Sequence, residues 1–148
     1  MTSCRPSGFV GCGLFLVMVL AVGAAAAAGA GDGRLLSKQR ICQDAKAAVK
    51  HIAPVELSEA LAANDAPVLL DIRSRDEYLA GHIAGARRLP RGMLEFKVQK
   101  LITDPDTPIV VYCLKGCRGS RAVLTLRKIG YSDVRDLAGG LVAWIEAD

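Results

Sequence analysis

Cys113-Leu114-Lys115-Gly116-Cys117-Arg118 is the stretch of this 148-residue chain whose residue types and spacing suit chemistry. A β-branched and aromatic run, Ile109-Val110-Val111-Tyr112, delivers Cys113. A turn containing Gly116 follows, and Ser120–Ile129 reads as an amphipathic helix. In that arrangement successive backbone N–H groups and the positive end of the helix point at the sulfur, and Lys115 and Arg118 add two cations. All of them favour negative charge at one point, so Cys113 is expected to stand largely as a thiolate near neutral pH. The same cradle welcomes a small oxyanion. Nucleophile and anion site then coincide, which is what sulfur transfer or displacement at phosphate requires. A cysteine ending a buried strand is more often inert packing. Strand, glycine turn, cations and helix start falling together in one short stretch favour the chemical reading.

The elements that must position this loop alternate along the chain. Val68-Leu69-Leu70-Asp71-Ile72 is a continuous apolar run of the kind that forms a strand covered on both faces. Ser74 and Glu77 form a capping box that starts a short helix running to about Ala80, where Gly81 ends it. Ala86–Leu89 reads as a short strand and Gly92–Ile102 as a helix with an imperfect stripe. Val134–Leu137 is a last strand and Leu141–Ala147 a last helix, opened by Gly139-Gly140. Before them come a helix over Val55–Ala63, behind Pro54, and a short uncapped helical lead-in from Ile41 to Ile52. Strands separated by helices connect best by right-handed parallel crossovers, so the expected class is α/β, a mostly parallel sheet of about five strands with helices on both faces. Ligands collect at the carboxyl ends of such strands. Asp71 and Cys113 stand there. A carboxylate ending a buried strand is costly unless paired, so Asp71 is either a support that binds a loop amide or an arginine, or an ordinary solvent-facing turn residue.

Residues 1–30 differ from the rest. Phe9–Val22 is an unbroken apolar or small run behind Arg5, and Ala24–Ala30 offers small-x-small cleavage sites, so the segment reads as a secretory signal peptide or, failing cleavage, a membrane anchor. Either places the remainder outside the cytoplasm, periplasmic or secreted, with no contact to membrane except through this segment. Residues 31–53 then form a linker with the helical lead-in, and 54–148 the domain. The full chain carries a net charge of +4. Without the leader it has no block of like charge and no interleaved aromatics, which argues against a nucleic-acid partner. Beyond residue 30 the cysteines are Cys42, Cys113 and Cys117. Three is an odd number, without ligand-like spacing to His51 or His82, so neither a disulfide framework nor a metal site is suggested and at least one thiol is left over.

The motifs taken together resemble a known family. Val68–Arg73 followed by Glu77-Tyr78, then Gly81-His82-Ile83-Ala84-Gly85-Ala86, then Val111-Tyr112-Cys113 with Gly116 and Arg118, then Leu137-Ala138-Gly139-Gly140 and Trp144, are similar in order and content to a single-domain rhodanese. The resemblance implies a sulfurtransferase without metal or organic cofactor. Its cysteine, here Cys113, takes the outer sulfur of thiosulfate, releases sulfite and holds a persulfide until a thiophilic acceptor such as cyanide, a thiol or a protein removes it. It implies further that Leu114, Lys115, Gly116, Cys117 and Arg118 form the donor cradle, with Arg118 closing it and Lys115 weakly favouring a dianionic donor. Related phosphatase-like domains carry Cys-x5-Arg, whereas Cys113 to Arg118 is Cys-x4-Arg, which favours sulfur over phosphate. Other readings remain open at this stage: a sulfur carrier for a protein partner with little small-molecule turnover, or thiol–disulfide chemistry between Cys113 and Cys117. Cys117 is expected to turn outward and be incidental. His82 is expected to be scaffold, Trp144 core, and Arg73, Arg75, Arg87, Arg88 and Arg91 a solvated basic rim.

Overall fold

The computed structural model describes residues 35–63 and 66–147; the leader expected over residues 1–30 lies outside them. Five parallel strands form one sheet in the order β1-β5-β4-β2-β3: β1 His51–Ile52, β2 Val68–Asp71, β3 Arg87–Arg88, β4 Ile109–Tyr112 and β5 Val134–Leu137. The helices are α1 Lys38–Ala47, α2 Pro54–Ala62, α3 Arg75–Leu79, α4 Leu94–Leu101, α5 Cys117–Ile129 and α6 Gly140–Ala147, with a 3-10 turn at Arg91–Met93 ahead of α4. The α/β class and the parallel sheet match the sequence reading.

Both faces of the sheet are covered, and side-chain alternation sorts the central strands between two cores. Leu70, Ile109, Val111, Cys113 and Val134 face Leu94, Val98, Ala122, Val123 and Leu126 of α4 and α5. Leu69, Val110, Tyr112 and Leu137 face Leu57 of α2 and Leu141 of α6, with Trp144 packed at the edge. Cys113 therefore continues the α5 side of β4. Asp136, two residues after Val134, points to that same side.

The lead-in departs from expectation. Its helix begins earlier, at Lys38, and is capped: the Ser37 hydroxyl accepts the Arg40 N–H at 3.2 Å, satisfying one of the orphan donors of the first turn. Its end is not helical, because His51 and Ile52 leave it to pair with Asp136 and Leu137. The capping box at Ser74 and Glu77 is formed as expected. The helix after the cysteine loop starts three residues before the expected Ser120, since Gly116 takes φ +89° and reverses the chain sharply enough for Cys117 to open it.

Candidate active site

Cys113 lies at the carboxyl end of β4 and is 2% exposed. The Gly116 N–H donates to its Sγ at 3.2 Å, and α5 begins at the next residue, so the positive end of a 13-residue helix stands behind the turn. From the other side, α6 holds the loop through its backbone: Leu141 N–H donates to the Cys113 carbonyl at 2.8 Å and Val142 N–H to that of Leu114 at 3.1 Å. Gly139 and Gly140 make this possible. Both have positive φ, and a Cβ on Gly140 would sit 2.5 Å from the Cys113 carbonyl oxygen.

The cations divide. The Arg118 guanidinium binds the Glu77 carboxylate with two hydrogen bonds, of 2.9 and 2.6 Å. This pairing chiefly raises the Arg118 pKa, with a smaller contribution from neighbouring Cys113. Arg118 is thus bound to Glu77 and close enough to Cys113 for the sulfur to add to the same effect. The same pair holds Glu77 at about 2, helped by the Ser74 amide. Lys115 and Leu114 are exposed. Glu77 also lines, with Arg73, His82, Leu141 and Trp144, a cavity of about 320 Å³.

Asp71 is fully buried and supports the site at one remove. It accepts the Arg73 backbone N–H at 2.9 Å and the Arg73 guanidinium at 2.6 Å, and the same guanidinium donates to the Gly81 carbonyl at 2.7 Å. Arg73 is therefore no part of a solvated rim. It is 3% exposed and lies over the Tyr112 ring; burial works against its charge, and Asp71 together with Tyr112 more than offsets that, so its pKa is raised. The Tyr112 hydroxyl accepts the Ile83 N–H at 3.2 Å, so residues 81–83 are held at both ends. His82 is exposed and stacks on Tyr78. Arg91 is also drawn inward, to Glu95 and Thr125, whereas Arg75, Arg87 and Arg88 remain exposed.

Cys117 corrects the sequence reading most. It forms a disulfide with Cys42 of α1, so it is neither incidental nor available to Cys113, and Cys113 is the free cysteine among the described residues. Lys46 of α1 also donates to the Lys115 carbonyl at 3.4 Å. Behind the loop, Asp136 is buried with Ser120 Oγ at 2.6 Å and His51 Nδ1 at 3.6 Å. The sequence reading named Cys42 without a role and did not assign Lys46, Ser120 or Asp136 to the site. The one signal was a carboxylate within the strand run Val134–Leu137.

The model of the Rhodanese-like domain matches residues 53–147. The chain belongs to the rhodanese-like family. It is 35% identical over 98 residues to the thiosulfate sulfurtransferase GlpE of Pseudoalteromonas translucida, a match covering 66% of this chain and 90% of that one. It is 38% identical over 76 residues to the Bacillus subtilis protein YqhL, covering 51% of this chain and spanning only 59% of that relative's length. Among solved structures, the human single-domain sulfurtransferase TSTD1 superposes with a TM-score of 0.61 at 31% identity, over 66% of this chain and 96% of the human one. Helix α1, with Cys42 and Lys46, precedes the matched residues.

Proposed function

We propose that this rhodanese-like protein is a sulfurtransferase that accepts the outer sulfur of thiosulfate, or a donor of the same dianionic kind, on Cys113. The Cys113 thiolate attacks the outer sulfur, the S–S bond of the donor breaks, and sulfite leaves with the bonding electron pair. A persulfide remains. A thiophilic acceptor such as cyanide then takes the terminal sulfur, and the Cys113 thiolate is restored. The observation that carries this reading is the free, buried Cys113 Sγ receiving the Gly116 N–H at the start of α5, with Arg118 alongside. Main-chain donors and a cation arranged before reaction are what a dianion approaching a thiolate needs. Thiosulfate with cyanide is expected to yield thiocyanate, and Cys113→Ser to abolish it. Undiminished turnover in that variant would remove the mechanism.

A protein acceptor is the second reading, favoured by apolar side chains around the loop: Leu114 is 40% and Ile145 65% exposed, and Ile145 lines the cavity that Glu77 borders. In that case Cys113 holds a stable added sulfur while cyanide turnover is negligible. The leader pattern of residues 1–30 and the Cys42–Cys117 disulfide together support residence outside the cytoplasm, where disulfides persist. Sequencing the amino terminus of the exported protein tests this.

A further inference from the structure

Asp136 is a fully buried carboxylate that the proposed reaction does not use. It registers with Val111 in the adjacent strand, on the face that Cys113 continues two residues later. Strand geometry therefore separates the two residues by roughly 8 Å. Its Oδ2 lies 2.6 Å from Ser120 Oγ, and Ser120 Oγ lies 3.1 Å from the Gly116 carbonyl. Gly116 is the residue whose N–H rests on the Cys113 sulfur. Its Oδ1 is buried without a partner, pressed against Gly119 so closely that no Cβ fits there.

Ser120 has one hydrogen and two acceptors within reach. When Asp136 is ionised, that hydrogen goes to Oδ2. When Asp136 is protonated, its own O–H donates to Ser120 Oγ, and the serine hydrogen turns to the Gly116 carbonyl. The protonation state is thereby passed to the turn that cradles the sulfur. The charge acts alongside: an ionised Asp136 places a negative charge behind a cradle whose front must receive an anion. Among the described residues, Lys46 of α1 and His51 of β1 are the charged or titratable groups that face it, and Val111 from β4 is apolar. Arg127 hydrogen-bonds the Ala48 and Val134 carbonyls, and Arg135 faces Glu56 and Asp133 at 3.8 and 3.7 Å.

We propose that Asp136 is a positioning residue of the Cys113 loop, setting through Ser120 and through its own charge how well the cradle accepts an anion. Burial raises its pKa to about 6 against the opposing pull of Ser120, His51 and Lys46, so the change falls in an accessible range. The proposal rests on the sulfurtransferase reading for its meaning, but its test needs no sulfur donor. Iodoacetate and iodoacetamide alkylate the same thiolate and differ in charge. The ratio of their rates at Cys113, read from the mass of the Cys113 peptide of the full chain, therefore cancels the thiolate fraction and reports the cradle alone. In the wild type this ratio is expected to fall about three-fold or more as pH rises from 5 to 7. Asp136→Asn should make it flat. Ser120→Ala, which leaves the carboxylate but removes a bond favouring its ionised form, should move the inflection to higher pH, a shift that a merely structural role would not produce. A flat wild-type profile, an inflection that survives Asp136→Asn, or one unmoved by Ser120→Ala would overturn the proposal. In each case the thiosulfate and cyanide assay stands or falls separately.

Discussion

On the side of the Cys113 loop that faces α6, the chain is held by peptide groups alone, through the Leu141 and Val142 N–H groups and two glycines that let the backbones meet. On the side that faces α1 it is held by side chains: the Cys42–Cys117 disulfide, the Lys46 ammonium on the Lys115 carbonyl, and Asp136 through Ser120. The first side lies wholly within the residues that match the rhodanese-like family, whereas Cys42 and Lys46 lie before them. Backbone contacts need only glycines at the right positions and fix the loop within narrow limits. Side-chain clamps need particular partners from distant segments, and they add stability and adjustment to a loop whose shape is already set.

The contrast predicts different failures. Gly140→Ala forces a Cβ against the Cys113 carbonyl at a φ of +67°, and is expected to cost about 3 kcal/mol of stability and at least about a hundred-fold in activity. Chemical denaturation with the thiocyanate assay checks both, and an active, stable variant would break the account of the α6 side. Replacing both Cys42 and Cys117 by Ala removes a cross-link between residues 75 apart, and should cost about 3 kcal/mol while activity in the folded variant falls less than ten-fold. Loss of activity without loss of stability would reverse the roles of the two sides.

The buried carboxylate gives a smaller effect with a definite sign. Because the folded protein raises the Asp136 pKa to about 6, the folded state keeps a proton that the unfolded chain releases near 3.8; stability from this group is complete below about pH 4 and declines as pH rises to 6. Asp136→Asn should therefore be more stable than the wild type at pH 7.5 by about 2 kcal/mol and show no such gain at pH 4. A gain equal at both pH values would contradict this. Glu77 works oppositely and more weakly. Its lowered pKa means that the Arg118 pair contributes above about pH 4.5 and fades as pH falls toward 2. The melting difference between wild type and Glu77→Gln, worth under about 1 kcal/mol at this partly exposed site, should vanish over that range.

The sequence reading recovered what local pattern encodes. Ile109–Tyr112 is a strand because its side chains suit a sheet covered on both faces, and Ser74 with Glu77 caps a helix because the two reach each other within one turn. The site's centre was legible for the same reason, since Cys113, Gly116 and the helix start are neighbours in the chain. Partners brought together only by folding were missed. Cys42 and Cys117 carry no mutual signal across 75 residues, His51 and Ile52 are a strand only because β5 lies beside them, and Asp136 gains its surroundings from α1, β1 and α5 at once. Arg73 was assigned to the rim by its type, and is buried because Asp71 and the Gly81 carbonyl satisfy its guanidinium.

The central claim is that Cys113 carries the transferred sulfur. Mixing the protein with thiosulfate, without acceptor, and weighing the Cys113 peptide tests it directly. A gain of about 32 Da on that peptide, with one sulfite released per chain and removal of the gain by cyanide, is the predicted result. A Cys113 peptide of unchanged mass under the same treatment would contradict it.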